Sequence, residues 1–79
     1  MKITTDDDRL ILIAATRYAL GRCTYMPRVV ADTLAHCWAD LTESDRKLIK
    51  RELAEAIERG HAGHECDVAT WRGVLALDD

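Results

Sequence analysis

Residues 61 to 66 read His-Ala-Gly-His-Glu-Cys, which puts two imidazoles, a carboxylate and a thiol (His61, His64, Glu65, Cys66) within six positions. Each is a zinc donor, and a fourth could come from Cys23 or from the His36-Cys37 pair. The spacing H-x2-H-x-C departs from the paired hairpins of structural zinc folds, and Cys37 falls on an apolar stripe. The expectation is therefore no metal and no cofactor. Nucleophilic chemistry is no better provided for. Cys66 with His61, or Cys23 with His36, could pair a thiol with an imidazole. Neither cysteine has an oriented third group or a glycine-rich oxyanion turn beside it. The chain also lacks a phosphate-cradling glycine loop, and 79 residues rarely enclose a water-excluding cleft. The expectation is a protein that is not an enzyme, with no catalytic residues.

The other groups able to act on a partner are charged and aromatic. Arg17, Arg22 and Arg28 surround the first expected turn, with Tyr18 and Tyr25 between them. Arginine interleaved with aromatics suits an acidic protein surface or a nucleic acid. Against that stands the plainer reading, in which these arginines pair with helix-end carbonyls and nearby acids while the tyrosines pack. Glu52, Glu55, Glu58 and Glu65 could offer an acidic patch to a basic partner, interrupted by Lys47, Arg51 and Arg59. Residues 1 to 40 balance five bases against five acids, and residues 41 to 79 supply the whole net charge of −3. That balance argues against direct binding to nucleic acid phosphates.

These groups must be positioned by helices. Residues 5 to 20 predict the first, capped by Thr5 or Asp6, with Asp6, Asp7 and Asp8 in the first turn where the helix dipole favours acids. Its core stripe is expected at Ile11, Ala14, Ala15 and Tyr18, widened by Leu10 and Ile13, with Gly21 as the left-handed stop. After a connector at 22 to 26, Pro27 opens a second helix with Val30, Leu34, Cys37, Trp38 and Leu41 on one face. Thr42 starts a third through a capping-box variant in which Asp45 takes the place of Glu. Ile49, Leu53, Ala56 and Ile57 form its stripe, Arg51–Glu55 and Glu55–Arg59 its i, i+4 pairs, and Gly60 its end. Residues 60 to 66 read as a loop, and Asp67 as the cap of a short fourth helix carrying Trp71, Val74 and Leu75.

The expected fold is thus all-α, one domain over residues 1–79, a compact bundle of three main helices and a short C-terminal fourth. With 48% hydrophobic residues the chain can bury a core, though four aromatics and no Phe leave it mostly aliphatic. The longest apolar run, Leu10 to Ala15, is too short to span a bilayer. The N-terminus lacks the apolar heart of a signal peptide, and three scattered cysteines suggest no disulfide framework. A cytoplasmic monomer or homodimer is expected, with Leu75 and Leu77 as exposed residues that could support the dimer.

The run Arg17-Tyr18-Ala19-Leu20-Gly21-Arg22-Cys23-Thr24-Tyr25 resembles an R-Y-A-L-G-R-x-T-Y pattern joining two helices in small phage and prophage proteins. A later acid-Cys-Asp element followed by Trp, here Glu65-Cys66-Asp67 and Trp71, extends the resemblance over most of residues 10 to 75. The resemblance implies a protein carried by a mobile element and made in a bacterial cytoplasm. In size, acidity and lack of catalytic machinery the chain is similar to anti-CRISPR inhibitors, which bind a surveillance complex or nuclease and block DNA access. On that reading Arg17, Arg22, Tyr25 and Arg28 on one edge, and Glu52, Glu55 and Glu58 on another, contact a host protein or ribonucleoprotein, suspected to be a CRISPR effector. The alternative is a small nucleic-acid-associated regulator that touches DNA through the Arg17–Arg28 connector. The five-residue connector and Pro27 fit a helix-turn-helix poorly.

Overall fold

Two of the four helices begin where a threonine hydroxyl accepts from a free amide of the first turn. In the computed structural model, which describes residues 2–22 and 24–78, the first helix, α1, spans Asp6–Ala19. Of the two candidate caps, Thr5 takes the position. Its hydroxyl accepts from the Asp8 amide at 3.2 Å, and the Asp8 carboxylate accepts back from the Thr4 and Thr5 amides at 3.0 and 3.1 Å. These bonds to the charged form, those from Thr4 first, hold the Asp8 carboxyl below its ordinary range.

α2 spans Met26–Cys37, with Pro27 one residue inside the helix rather than opening it. A 3-10 turn, Trp38–Asp40, follows, so Trp38 and Leu41 reach the core through a tightened turn and not on a continuous α-helix. α3 spans Glu43–Glu58 and is capped by the Thr42 hydroxyl, which accepts from the Asp45 amide at 3.1 Å. The two bonds that close α3, Gly60 N–H to the Ile57 carbonyl and His61 N–H to that of Ala56, form a Schellman motif. α4 spans Glu65–Leu75 and starts two residues earlier than the cap read at Asp67. Asp67 instead sits inside the first turn and its carboxylate accepts from the His64 amide at 3.1 Å. Gly63, at φ +94°, makes room for it, since a Cβ there would lie 2.7 Å from the Asp67 carboxylate. With eleven residues against twelve in α2, α4 is a full member of the fold and not a minor appendage.

Among the described residues all regular structure is helical. α1 packs on α2 and α3, and α4 packs on the same two helices from the other side. The helices therefore close a ring in the order α1, α2, α4, α3. Inside it lie Leu12, Ile13, Ala19, Val30, Leu34, Trp38, Leu41, Ile49, Leu53, Trp71 and Val74, all buried. The stripes read for α2, α3 and α4 face this core, with Ala56, Ile57 and Leu75 half-buried at its edge. Leu75 and Leu77, expected to be exposed, are packed against it instead. Ala62, in the segment read as a polar loop, is 1% exposed and plugs the turn between α3 and α4.

α1 corrects the sequence reading most. Its buried face is Leu12, Ile13, Thr16 and Ala19, while Leu10, Ile11, Ala14 and Tyr18 face water and Ala15 is half-buried. Four consecutive apolar residues from Leu10 to Ile13 leave the phase of the helix open on periodicity alone. The face that goes inside is the one that lets α1 form two long-range ion pairs to α3, Arg9–Asp45 and Arg17–Glu52. The small Thr16 and Ala19 then face inward, and the Thr16 hydroxyl is satisfied by the Leu12 carbonyl at 2.9 Å.

Gly21 ends α1 in the left-handed region, φ +77°, and a Cβ there would stand 3.0 Å from the His61 carbonyl oxygen. Gly21→Ala should therefore cost about 1–2 kcal/mol from the backbone conformation alone, with the close approach adding to it. Thermal denaturation of the variant checks this. An unchanged midpoint would mean that the turn does not hold this conformation.

Candidate functional site

The Arg/Tyr edge is built where α1 stops and α2 starts. Arg22, just past the end of α1, folds back so that its Nε donates to the Tyr18 carbonyl at 3.1 Å and its guanidinium lies 4.4 Å from the centre of the Tyr18 ring. One side chain thus caps the helix end and covers an aromatic face. Tyr25 precedes α2, 75% exposed, and makes no capping bond. Arg28 and Val29 follow it into solvent on the first turn of α2. Tyr18, read as a core residue, is 58% exposed and belongs to this surface.

Arg17 leaves the edge. It grips the Glu52 carboxylate with Nε at 2.8 Å and a terminal nitrogen at 2.6 Å, a two-pronged pair linking α1 to α3. The guanidinium holds the Glu52 carboxyl below the usual carboxylate range, and the carboxylate raises Arg17 in turn. The arginine edge and the acidic edge read as separate are therefore joined at this point. Glu55 and Glu58 remain exposed on α3. The ion pair that closes along α3 is Glu43–Lys47 at 3.0 Å, whereas Arg51–Glu55 and Glu55–Arg59 do not close among the described residues.

The two stretches that carry the resemblance meet in space. Thr24, Tyr25 and Arg28 line one side of a cleft whose other side is Cys66, Asp67 and Thr70 on the first turns of α4. The cleft encloses about 250 Å³, smaller than the roughly 300–1,000 Å³ of small-molecule sites. It fits a side chain of a partner better than a metabolite. Cys66 is exposed here. Its place in the edge follows from α4 starting at Glu65, and Asp67, three positions after His64, was the one sequence signal for that start.

Among the described residues no three His, Cys, Asp or Glu side chains converge on a common point. His61 and His64 are exposed, and His36 bonds through Nδ1 to the Asp32 carbonyl at 2.7 Å on the far part of α2. The Cys37 thiol is buried against the Thr33 carbonyl, 3.0 Å away, and burial pushes its pKa up, the reverse of what a nucleophile needs. Cys23, the other sulfur considered, lies outside the described residues. No helix is long and apolar enough to cross a membrane among those residues.

No protein-family model, curated protein or solved structure matches the chain.

Proposed function

We propose that this chain works by binding another protein through the Tyr25–Arg28 edge and the adjoining first turn of α4. In its most specific form the reading is a phage-encoded, non-enzymatic inhibitor of a host defence complex, an anti-CRISPR that blocks DNA access or nuclease recruitment. The observation that carries the proposal is Tyr25, three-quarters exposed between Arg22 and Arg28 at the mouth of a cleft that a partner side chain could fill. Tyrosine and arginine supply most interface anchors, because each combines a large contact area with directed hydrogen bonds. Arg17 and Glu52 contribute by tying α1 to α3, and Glu55 and Glu58, exposed on α3, can meet basic groups.

The test is affinity capture of the tagged protein from a bacterial lysate with an active CRISPR system, with mass spectrometry of the bound material. Recovery of a surveillance-complex subunit or its nuclease is expected, and Tyr25→Ala combined with Arg28→Glu should lower it at least tenfold. Both residues are exposed and neither caps a helix with its side chain, so the helical circular dichroism should not change. Capture by the double variant at wild-type strength would remove this edge as the interface. Duplex DNA binding that falls steeply between low and physiological salt would favour the regulatory module instead.

A further inference from the structure

α1 is apolar on two opposite sides. One stripe, Leu12, Thr16 and Ala19 with Ile13, enters the core. Half a turn round the helix, at spacings i, i+4, i+7 and i+11, lie Asp7, Ile11, Ala14 and Tyr18, with Leu10 beside them. None of these five is buried, and Leu10, Ile11 and Tyr18 are 62%, 59% and 58% exposed, three of the five large apolar side chains so exposed among the described residues. A water-facing flank of α1 would be expected to carry polar groups, so this stripe is unpartnered.

From the charge pattern of the stripe we infer that its partner is a second copy of α1, packed antiparallel about a two-fold axis at Ala14. The stripe is negative at one end, where Asp7 is exposed and makes no ion pair among the described residues, and positive at the other, where the Arg22 guanidinium lies over Tyr18. Antiparallel pairing sets Asp7 of each copy near Arg22 of the other, Leu10 against Tyr18, and the two helix dipoles in opposition. Parallel pairing would set like charge on like charge. At the axis each copy contributes only the methyl of Ala14, which lets the backbones approach to the 8–10 Å of packed helices. A two-fold contact of this kind is self-complementary and closes at the dimer. With fourteen residues α1 is about 21 Å long, so the interface is one helix wide and at the small end of specific interfaces, about 1,200 Å². The dimer is therefore reversible and depends on concentration.

Sedimentation equilibrium on the whole chain tests this, from low micromolar to about millimolar protein. The wild type should move from 8.9 kDa toward twice that mass. Ile11→Glu should remain at the monomer mass over the same range, with unchanged helical circular dichroism because the side chain is already in water. Asp7→Arg should weaken the dimer at least tenfold, more so at low salt. A wild type that stays monomeric overturns the inference, as does a dimer that Ile11→Glu leaves intact. The stripe shares Tyr18 and Arg22 with the Arg/Tyr edge; the capture test substitutes Tyr25 and Arg28, which lie outside the stripe, and the dimer test substitutes Asp7 and Ile11, so a failed dimer and a failed partner capture are separate results.

Discussion

Trp71→Ala should remove most of the stability of this protein. The indole is wholly buried on α4, the helix that bridges α2 and α3, and no other side chain of its size is so completely enclosed. Truncating a tryptophan in a core costs about 3–5 kcal/mol, from lost transfer energy and the cavity left behind. Small domains have little more than that in reserve. At about 4–8 °C per kcal/mol for a chain of this size, the midpoint should fall by more than about 12 °C. Thermal denaturation followed by circular dichroism measures it. The Trp71 indole N–H is buried without a hydrogen-bond partner among the described residues. Trp71→Phe should therefore cost much less, since part of the lost volume is offset by removing an unpaired donor, which costs about 1–3 kcal/mol where it stands. Equal losses in the two variants would mean that the N–H is satisfied.

The second large effect lies in the ion pair that ties the start of α1 to α3. Arg9 places Nε 2.5 Å and a terminal nitrogen 3.0 Å from the two oxygens of Asp45, whose side chain is 8% exposed, and also holds Asp6 at 2.8 Å. Arg9→Met keeps the apolar stem but strands a buried carboxylate. Breaking a buried pair from one side is strongly destabilising; with Arg9 itself 31% exposed, solvent screening reduces the loss here, and thermal denaturation of Arg9→Met should show a lowered midpoint. The guanidinium, by its hydrogen bonds first, holds the Asp45 carboxyl below the usual range. Asp45 is thus easier to protonate in the unfolded chain than in the folded one. Its contribution is complete above the ordinary carboxylate value of about 4 and is lost as pH falls through that value toward the depressed one. Glu52, lowered by Arg17, acts in the same direction. The wild type should lose more stability between about pH 5 and pH 3 than Asp45→Asn, which has already lost the linkage. Parallel pH profiles would show that the pair contributes nothing to the acid transition.

The particular residues show what a sequence can disclose. The stripes of α2, α3 and α4 were legible because polar residues bound each one closely, so only one face of each helix could go inside. α1 was not, because Leu10 to Ile13 offer two faces, and the contacts made by the chosen one, including those to Asp45 and Glu52, lie about 35 residues away. The exposed members of the candidate site, Arg22, Tyr25 and Arg28, could be picked from residue type alone. The departure of Arg17 into a pair with Glu52, and the arrival of Cys66 and Asp67 beside Tyr25, depend on packing between distant segments, which periodicity does not encode. Tyr18 was misplaced for the same reason as Ile11.

The closed ring of four helices also governs cooperativity. Each helix packs against two neighbours in the ring. Detaching any one opens the apolar faces of two others and the single core they share. Loss of any one helix thus costs burial on three helices at once, which favours all-or-none melting.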